Sequence, residues 1–288
     1  MRTAISTDTN SGLTRESAGK AGIFVLPMPV IVDGKSYFEG VDITHPQLYG
    51  AMQNHLDLSS SQPSPGQLLE FWDDILKSGY DEIVHIPMSS GLSNSCSTAM
   101  LLAERYGGKV QVVDNHRISV TQAESALSAH RLMEGGMTAG EIKKYLEDRA
   151  FDASIYITVD SMEYLKKGGR VTPAAAAFAS VLNLKPVLTI QGDKLDAFAK
   201  VRGMKQAEIK MIEAVRQDRV NRFAQVPDEQ LAIETAGTFE DPEKARQWRD
   251  QVQAAFPNFS VSYVDLPCSI ACHVGINAAG IGILNREC

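Results

Sequence analysis

The sequence predicts an α/β protein of two domains. Two observations carry this. In the first half, short β-branched runs alternate with capped, amphipathic helical segments, the pattern of an α/β/α layered domain around a mainly parallel sheet. From about residue 151 the strands come in turn-linked pairs mixed with helices, which reads as an α+β domain with a mixed sheet. A length of 288 residues suits this division. We place the domains at 1–150 and 151–288.

Composition narrows the function classes. The chain is 44% hydrophobic and 22% charged, with a formal net charge of −7. That balance speaks against broad binding to nucleic acid or anionic lipid. No apolar run reaches the length of a membrane span, and the N-terminus lacks a signal-peptide layout, so a cytoplasmic location without integral membrane association is expected. In a reducing compartment Cys96, Cys268, Cys272 and Cys288 need no disulfide framework. Cys268, Cys272 and His273 match no common zinc spacing, and no metal or cofactor is expected.

Taken in order, residues 2–7 form a first strand that ends in Asp8-Thr9-Asn10-Ser11-Gly12. This cluster serves equally as a capped turn or as pocket lining. A helix follows near 14–20. The run 23–32 is β-branched but broken by Pro27 and Pro29, and Asp33-Gly34 turns it back into 35–38. Thr44 and Pro46 open a helix. Ser64, Pro65 and Gln67 form a capping box for the next one, which carries Leu68, Leu69, Trp72, Ile75 and Leu76 at helical spacing. Ser60 and Ser61 stand just before it, in a stretch read as a loop that needs no hydroxyls for capping.

Residues 80–100 organise the first half. Ile83, Val84, Ile86 and Met88 form a buried strand, Ser89-Ser90-Gly91 breaks it, and helical character resumes from Leu92. In an open α/β sheet such a junction lies where ligands bind, and unpaired N–H groups at a helix start suit an anion. Ser93 is the first candidate for gripping it. Further strands and helices follow at 110–113, 119–133 and 138–146. In the second half, strands at 154–159, 187–190, 195–201, 231–235, 259–264 and 280–284 alternate with helices at 161–167, 204–220 and from Pro242. An alanine-rich helix starts at Thr172-Pro173, and Gln191-Gly192-Asp193 makes a hairpin turn.

The chemical motifs exclude several classes. No Gly-x-Gly-x-x-Gly follows a strand, and Gly168-Gly169-Arg170 lacks the ending of a P-loop. Ser89-Ser90-Gly91 lacks the leading glycine of a nucleophile elbow. His85 lies within the strand before Ser89. Arg170 is either a charge meeting a helix dipole or a contact for phosphate or a partner. His273, in Ala271-Cys272-His273-Val274-Gly275, is either a core residue or a functional one.

Several segments together resemble the DegV family of bacterial fatty-acid-binding proteins. They are Ala4–Asp8, Gly40–Thr44, Ser60–Gly66, Ser89–Ser93, Tyr164–Val171, Leu184–Pro186 and Lys200–Arg202, in family order over nearly the whole chain. The chain departs from the family pattern at Val274–Asn277, at Ser93-Asn94 and at Arg202-Gly203. The resemblance implies a long-chain fatty acid held between two domains and presented to a partner ATP-binding kinase subunit, which would phosphorylate the carboxylate. The chain itself would then carry no catalytic residue and bind no cofactor. Ser60, Ser61, Ser93 and His273 would hold the carboxylate. Arg170 and Arg202 would face the phosphate or the partner. Asp8, Ser89, Ser90, Gly91, Asn94 and Gly275 are candidates for pocket lining. The alternatives are a stand-alone hydrolase or acyl transferase using Ser93 or Ser89, and a lipid-sensing regulator.

Overall fold

The computed structural model describes residues 1–177, 184–191 and 194–286. The first half runs β1 (Thr3–Asp8), α1 (Arg15–Lys20), β2 (Ile23–Leu26), β3 (Pro29–Val32), β4 (Lys35–Phe38), α2 (His45–Gln53), β5 (Leu58–Ser60), α3 (Pro65–Lys77), β6 (Glu82–Ile86), α4 (Ser95–Ala103), β7 (Val110–Val112), α5 (Val120–Glu134) and α6 (Ala139–Asp148). Four of its strands form a parallel sheet in the order β2-β1-β6-β7. Successive side chains of a strand face opposite ways, so each strand feeds two cores. Ala4, Ile83 and Val110 pack with Trp72 of α3 and Leu102 of α4, while Ile5, Val84 and Ile86 pack with Ala126 of α5 and Ile142 of α6. This is the expected three-layered arrangement. Proline explains why the run 23–32 splits: β2 joins the parallel sheet, and β3, starting at Pro29, joins β4 and β5 in a separate antiparallel sheet.

The second half contains β8 (Ala153–Thr158), α7 (Glu163–Gly168), α8 (Pro173–Ala176), β9 (Leu184–Ile190), β10 (Asp196–Arg202), α9 (Met204–Asn221), β11 (Leu231–Gly237), α10 (Pro242–Ala255), β12 (Ser262–Asp265), α11 (Cys268–Val274) and β13 (Ala279–Asn285). Its sheet is mixed, in the order β10-β9-β8-β13-β11-β12, with only β11 and β12 parallel. One face buries Tyr156, Val187, Ile233 and Ile281 against Met211 and Val215 of α9 and Trp248 of α10. The other face turns to the first half. There Ile157, Leu188 and Ala236 share a core with Leu92, Ile118 and Val120. The two domains therefore meet over one side of the mixed sheet. No helix among the described residues is long and apolar enough to cross a membrane.

The structure differs locally from the sequence reading. Ser60 closes strand β5, where it pairs with Val30, and does not lie in a loop. The α4 helix begins at Ser95, not Leu92: Leu92 is buried in the core between the halves, and Ser93 Oγ accepts from the Ser95 N–H at 3.1 Å. Helix α11 has no counterpart in the sequence reading. Six of its seven residues are buried, so it shows no polar face and no helical period. Strands β9 and β10 pair antiparallel as expected, but Gly192 and Asp193 of the turn lie outside the described residues. So do Cys288 and the stretch 178–183 beyond α8.

Candidate functional site

A narrow cavity lined mainly by apolar side chains lies between the halves. Its floor is the inward face of the mixed sheet. Residues paired across the strands form two rows, Glu234–Gly282–Ile155–Ile190 and Ala236–Gly280–Ile157–Leu188. Glycine at 280 and 282 leaves β13 without side chains in both rows; over Gly282 the Val120 side chain comes within 3.3 Å of where a Cβ would stand, while at Gly280 nothing comes closer than 3.7 Å. The walls are Leu92, Ile118 and Val120 from the first half and Leu165, Ile270 and Val274 from α7 and α11.

Against this apolar lining stands a group of polar side chains that includes Ser60, Ser61, Ser93, Arg170 and His273. Ser60 Oγ and His273 Nε2 are 2.7 Å apart. The contact joins the end of β5 to the last turn of α11, across the boundary between the halves. Local sequence explains how His273 fits. It packs against Gly168, the last residue of α7, where a Cβ would stand only 2.5 Å from Nδ1. Gly169 then takes the left-handed conformation (φ 67°) that ends the helix. Arg170 folds back, and its guanidinium donates to the Gly168 carbonyl. Burial, and secondly the positive charge of Arg170, push the His273 imidazole down to about 4. It is neutral near pH 7.

Two more residues of the cavity, Asn10 and Ser269, form a second bridge between the halves. Ser269 Oγ lies 2.8 Å from Asn10 Oδ1 and 2.8 Å from Glu39 Oε2. Asn10 belongs to the polar cluster after β1, which the sequence marks. Ser269 and Glu39 carry no motif signal, because only folding of α11 onto the small sheet brings them there.

The structure brings Ser60, Ser61, Ser93, Arg170 and His273 to one cavity, and leaves others elsewhere. Arg202 ends β10, is exposed, and does not line the cavity. Asp8, Ser89, Ser90, Gly91, Asn94 and Gly275 are likewise absent from the lining. They build the loops behind it. Asp8 accepts from the backbone N–H groups of Asn10 and Met88, each at 2.9 Å, and from Gln122, and its burial raises the carboxyl. Ser89 Oγ accepts from Gly91 N–H, Ser90 N–H donates to Asp114, and the Asn94 carbonyl accepts from Thr98 in α4. Gly275 sits under the Tyr164 ring with φ 76°, so the position favours glycine on both counts.

His85 does not serve Ser89. Its Nδ1 meets Ser6 Oγ at 2.9 Å, its ring packs on Trp72, and burial pushes it down to about 3. Ser60 and His273 have the contact of a nucleophile and its base. Among the described residues, however, no carboxylate bonds His273, and the nearby charge is a cation. A serine–histidine pair of the hydrolytic kind uses a carboxylate to stabilise the imidazolium. Here the environment opposes that species.

Comparison with known proteins supplies independent findings. The family model described as uncharacterised protein, DegV family, matches residues 2–286. A DegV domain-containing protein of Deinococcus radiodurans is 34% identical over 217 residues, 75% of this chain and 77% of its own length. Among solved structures, a DegV family protein from Thermus thermophilus, described by its fatty acid binding, superposes with a TM-score of 0.88 at 27% identity, covering 99% of this chain and all of its own. DegV from Bacillus subtilis, described as a fatty acid binding protein, superposes with a TM-score of 0.84 at 26% identity, covering 99% of each chain.

Proposed function

The chain belongs to the DegV family, and from that premise we propose that it binds a long-chain fatty acid in the cavity between its domains. The observation that carries the reading is the meeting of Ser60, His273 and Arg170 in a mainly apolar space. A carboxylate taken from water is costly unless it is hydrogen-bonded. If His273 donates its Nε2–H to Ser60 Oγ, the Ser60 hydroxyl proton is left to donate to the acid. Ser93 and Ser61 hydroxyls and the Arg170 charge add to that set. The tail lies over Gly280, and each methylene removed from water contributes roughly 0.8 kcal/mol. The domains carrying the two sides of the site are 1–150 and 151–288.

We further propose that the protein is a cytoplasmic carrier with no catalysis of its own. It presents the carboxylate to an ATP-binding kinase subunit, which forms the acyl-phosphate. Arg170 at the mouth suits the phosphate, and exposed Arg202 suits the partner. The test is incubation of the loaded protein with ATP and such a subunit. Acyl-phosphate is expected, and its formation should fall at least ten-fold in Arg170→Ala. Lipid binding without any acyl-phosphate points instead to a lipid-sensing role. The Ser60–His273 contact also raises a stand-alone hydrolase or acyl transferase. Fluorophosphonate labelling lost in Ser60→Ala or Ser93→Ala would favour it.

A further inference from the structure

Outside the cavity, three chemically distinct metal donors converge where the small sheet meets α11. Glu39 follows β4, His45 opens α2, and Cys268 opens α11. The donor atoms of the three lie within 4.8 Å of one another. In the linear sequence Cys268 groups with Cys272 and His273, but the fold separates that trio. His273 turns to Ser60, Cys272 Sγ donates to the Ser269 carbonyl, and Cys268 faces Glu39.

We infer that Glu39, His45 and Cys268 bind one divalent ion of the zinc class. Thiolate, imidazole and carboxylate are the donors such ions take, with a water in the fourth place. The histidine is already oriented. His45 Nε2 lies 2.9 Å from the Leu266 carbonyl. A carbonyl only accepts, so Nε2 donates to it, and this bond holds the ring beside Cys268. A backbone partner of this kind holds metal-binding histidines in many sites.

The carboxylate supplies the second argument. Glu39 is 8% exposed, yet it takes part in no ion pair among the described residues. Its partners include the Cys268 and Ser269 N–H groups and the Ser269 and Thr9 hydroxyls, all uncharged. A cysteine thiol holds its proton near neutral pH, and Cys268 opens α11 beside the Glu39 carboxylate. An entering M²⁺ replaces that proton: the S–H bond breaks, the S–M bond forms, and the proton leaves to solvent. His45 also lines an open cleft with Tyr49, Tyr263 and Asp265, which gives the ion a way in. Once bound, the ion would tie the first half to α11 and so to His273.

Cobalt(II) titration of the chelator-treated full chain tests this. One equivalent should bind with a thiolate-to-cobalt charge-transfer band and release of a proton. The band should vanish in Cys268→Ser, and the affinity should fall at least ten-fold in His45→Ala. His273→Ala should keep both, which separates this site from the lipid site. Should Cys268→Ser fail to fold by circular dichroism, the half-exposed His45 variant decides. No band in the wild type, or binding that His45→Ala leaves unchanged, would overturn the assignment.

Discussion

Ser60 Oγ and His273 Nε2 meet at 2.7 Å although 213 residues separate them. One ends a short strand of the first domain, and the other ends a buried helix of the second. The contact exists only when both walls of the cavity are present, and it is where the proposed reading seats the carboxylate. We expect Ser60→Ala and Ser93→Ala each to weaken fatty-acid binding by about 1–3 kcal/mol, the cost of an unmet buried acceptor. Competition against a fluorescent fatty acid measures it, and unchanged affinity removes the residue from the site.

Gly168 supports the same contact from behind. A methyl group there would stand 2.5 Å from His273 Nδ1, so Gly168→Ala should force the ring away from Ser60. We expect at least a ten-fold loss of affinity, with a loss of stability of about 1–3 kcal/mol from overpacking. Isothermal titration with urea unfolding reads both. Gly169→Ala serves as a comparison: a Cβ there meets nothing within 4 Å, but φ is 67°, so it should cost stability and spare binding.

Gly280 lines the cavity floor where the proposed tail would lie. A Cβ at 280 would meet nothing closer than 3.7 Å, so the first carbon of a side chain is accepted there and the rest would enter the cavity. Gly280→Leu should therefore fold and should shift preference to shorter acids by several carbons. Lipid profiling of wild type and variant checks this, and an unchanged chain-length distribution would place the tail elsewhere.

Much of this was legible in the sequence, and the reasons divide cleanly. Capped amphipathic segments such as Ser64–Lys77 declare themselves because their period and caps are local. The serines at 60 and 61 were legible as hydroxyls without a capping duty, although Ser60 proved to end a strand, and Ser93 was legible from its place at a strand-to-helix junction. Helix α11 was not legible, since burial on all sides erases the polar face that marks a helix. The partners Asn10–Ser269 and Glu39–Cys268 depend on two chain ends packing together, which no local pattern encodes. Asp8 and Ser89 looked like ligand groups because the same residue types hold turns.

Acid should destabilise the protein partly through its histidines. His273 and His85 have folded values near 4 and 3, below the ordinary 6.5. The unfolded chain therefore takes up protons first, and stability present above pH 6.5 is lost as pH falls towards those values. Asp8 and Glu39 carry raised carboxyls and act in the opposite sense, so the difference between variants is the clean readout. Relative to His273→Gln, the wild type should lose about 2–3 kcal/mol between pH 6.5 and 4. Equal slopes in urea unfolding would contradict a histidine held neutral.

We propose that the cavity between the domains holds a fatty acid by its carboxylate. Native mass spectrometry of the purified protein, followed by organic extraction and analysis of the released lipid, tests it most directly. One long-chain fatty acid per chain is expected, with occupancy reduced in Ser60→Ala. A protein that yields no fatty acid, and takes up none when it is supplied, would contradict it.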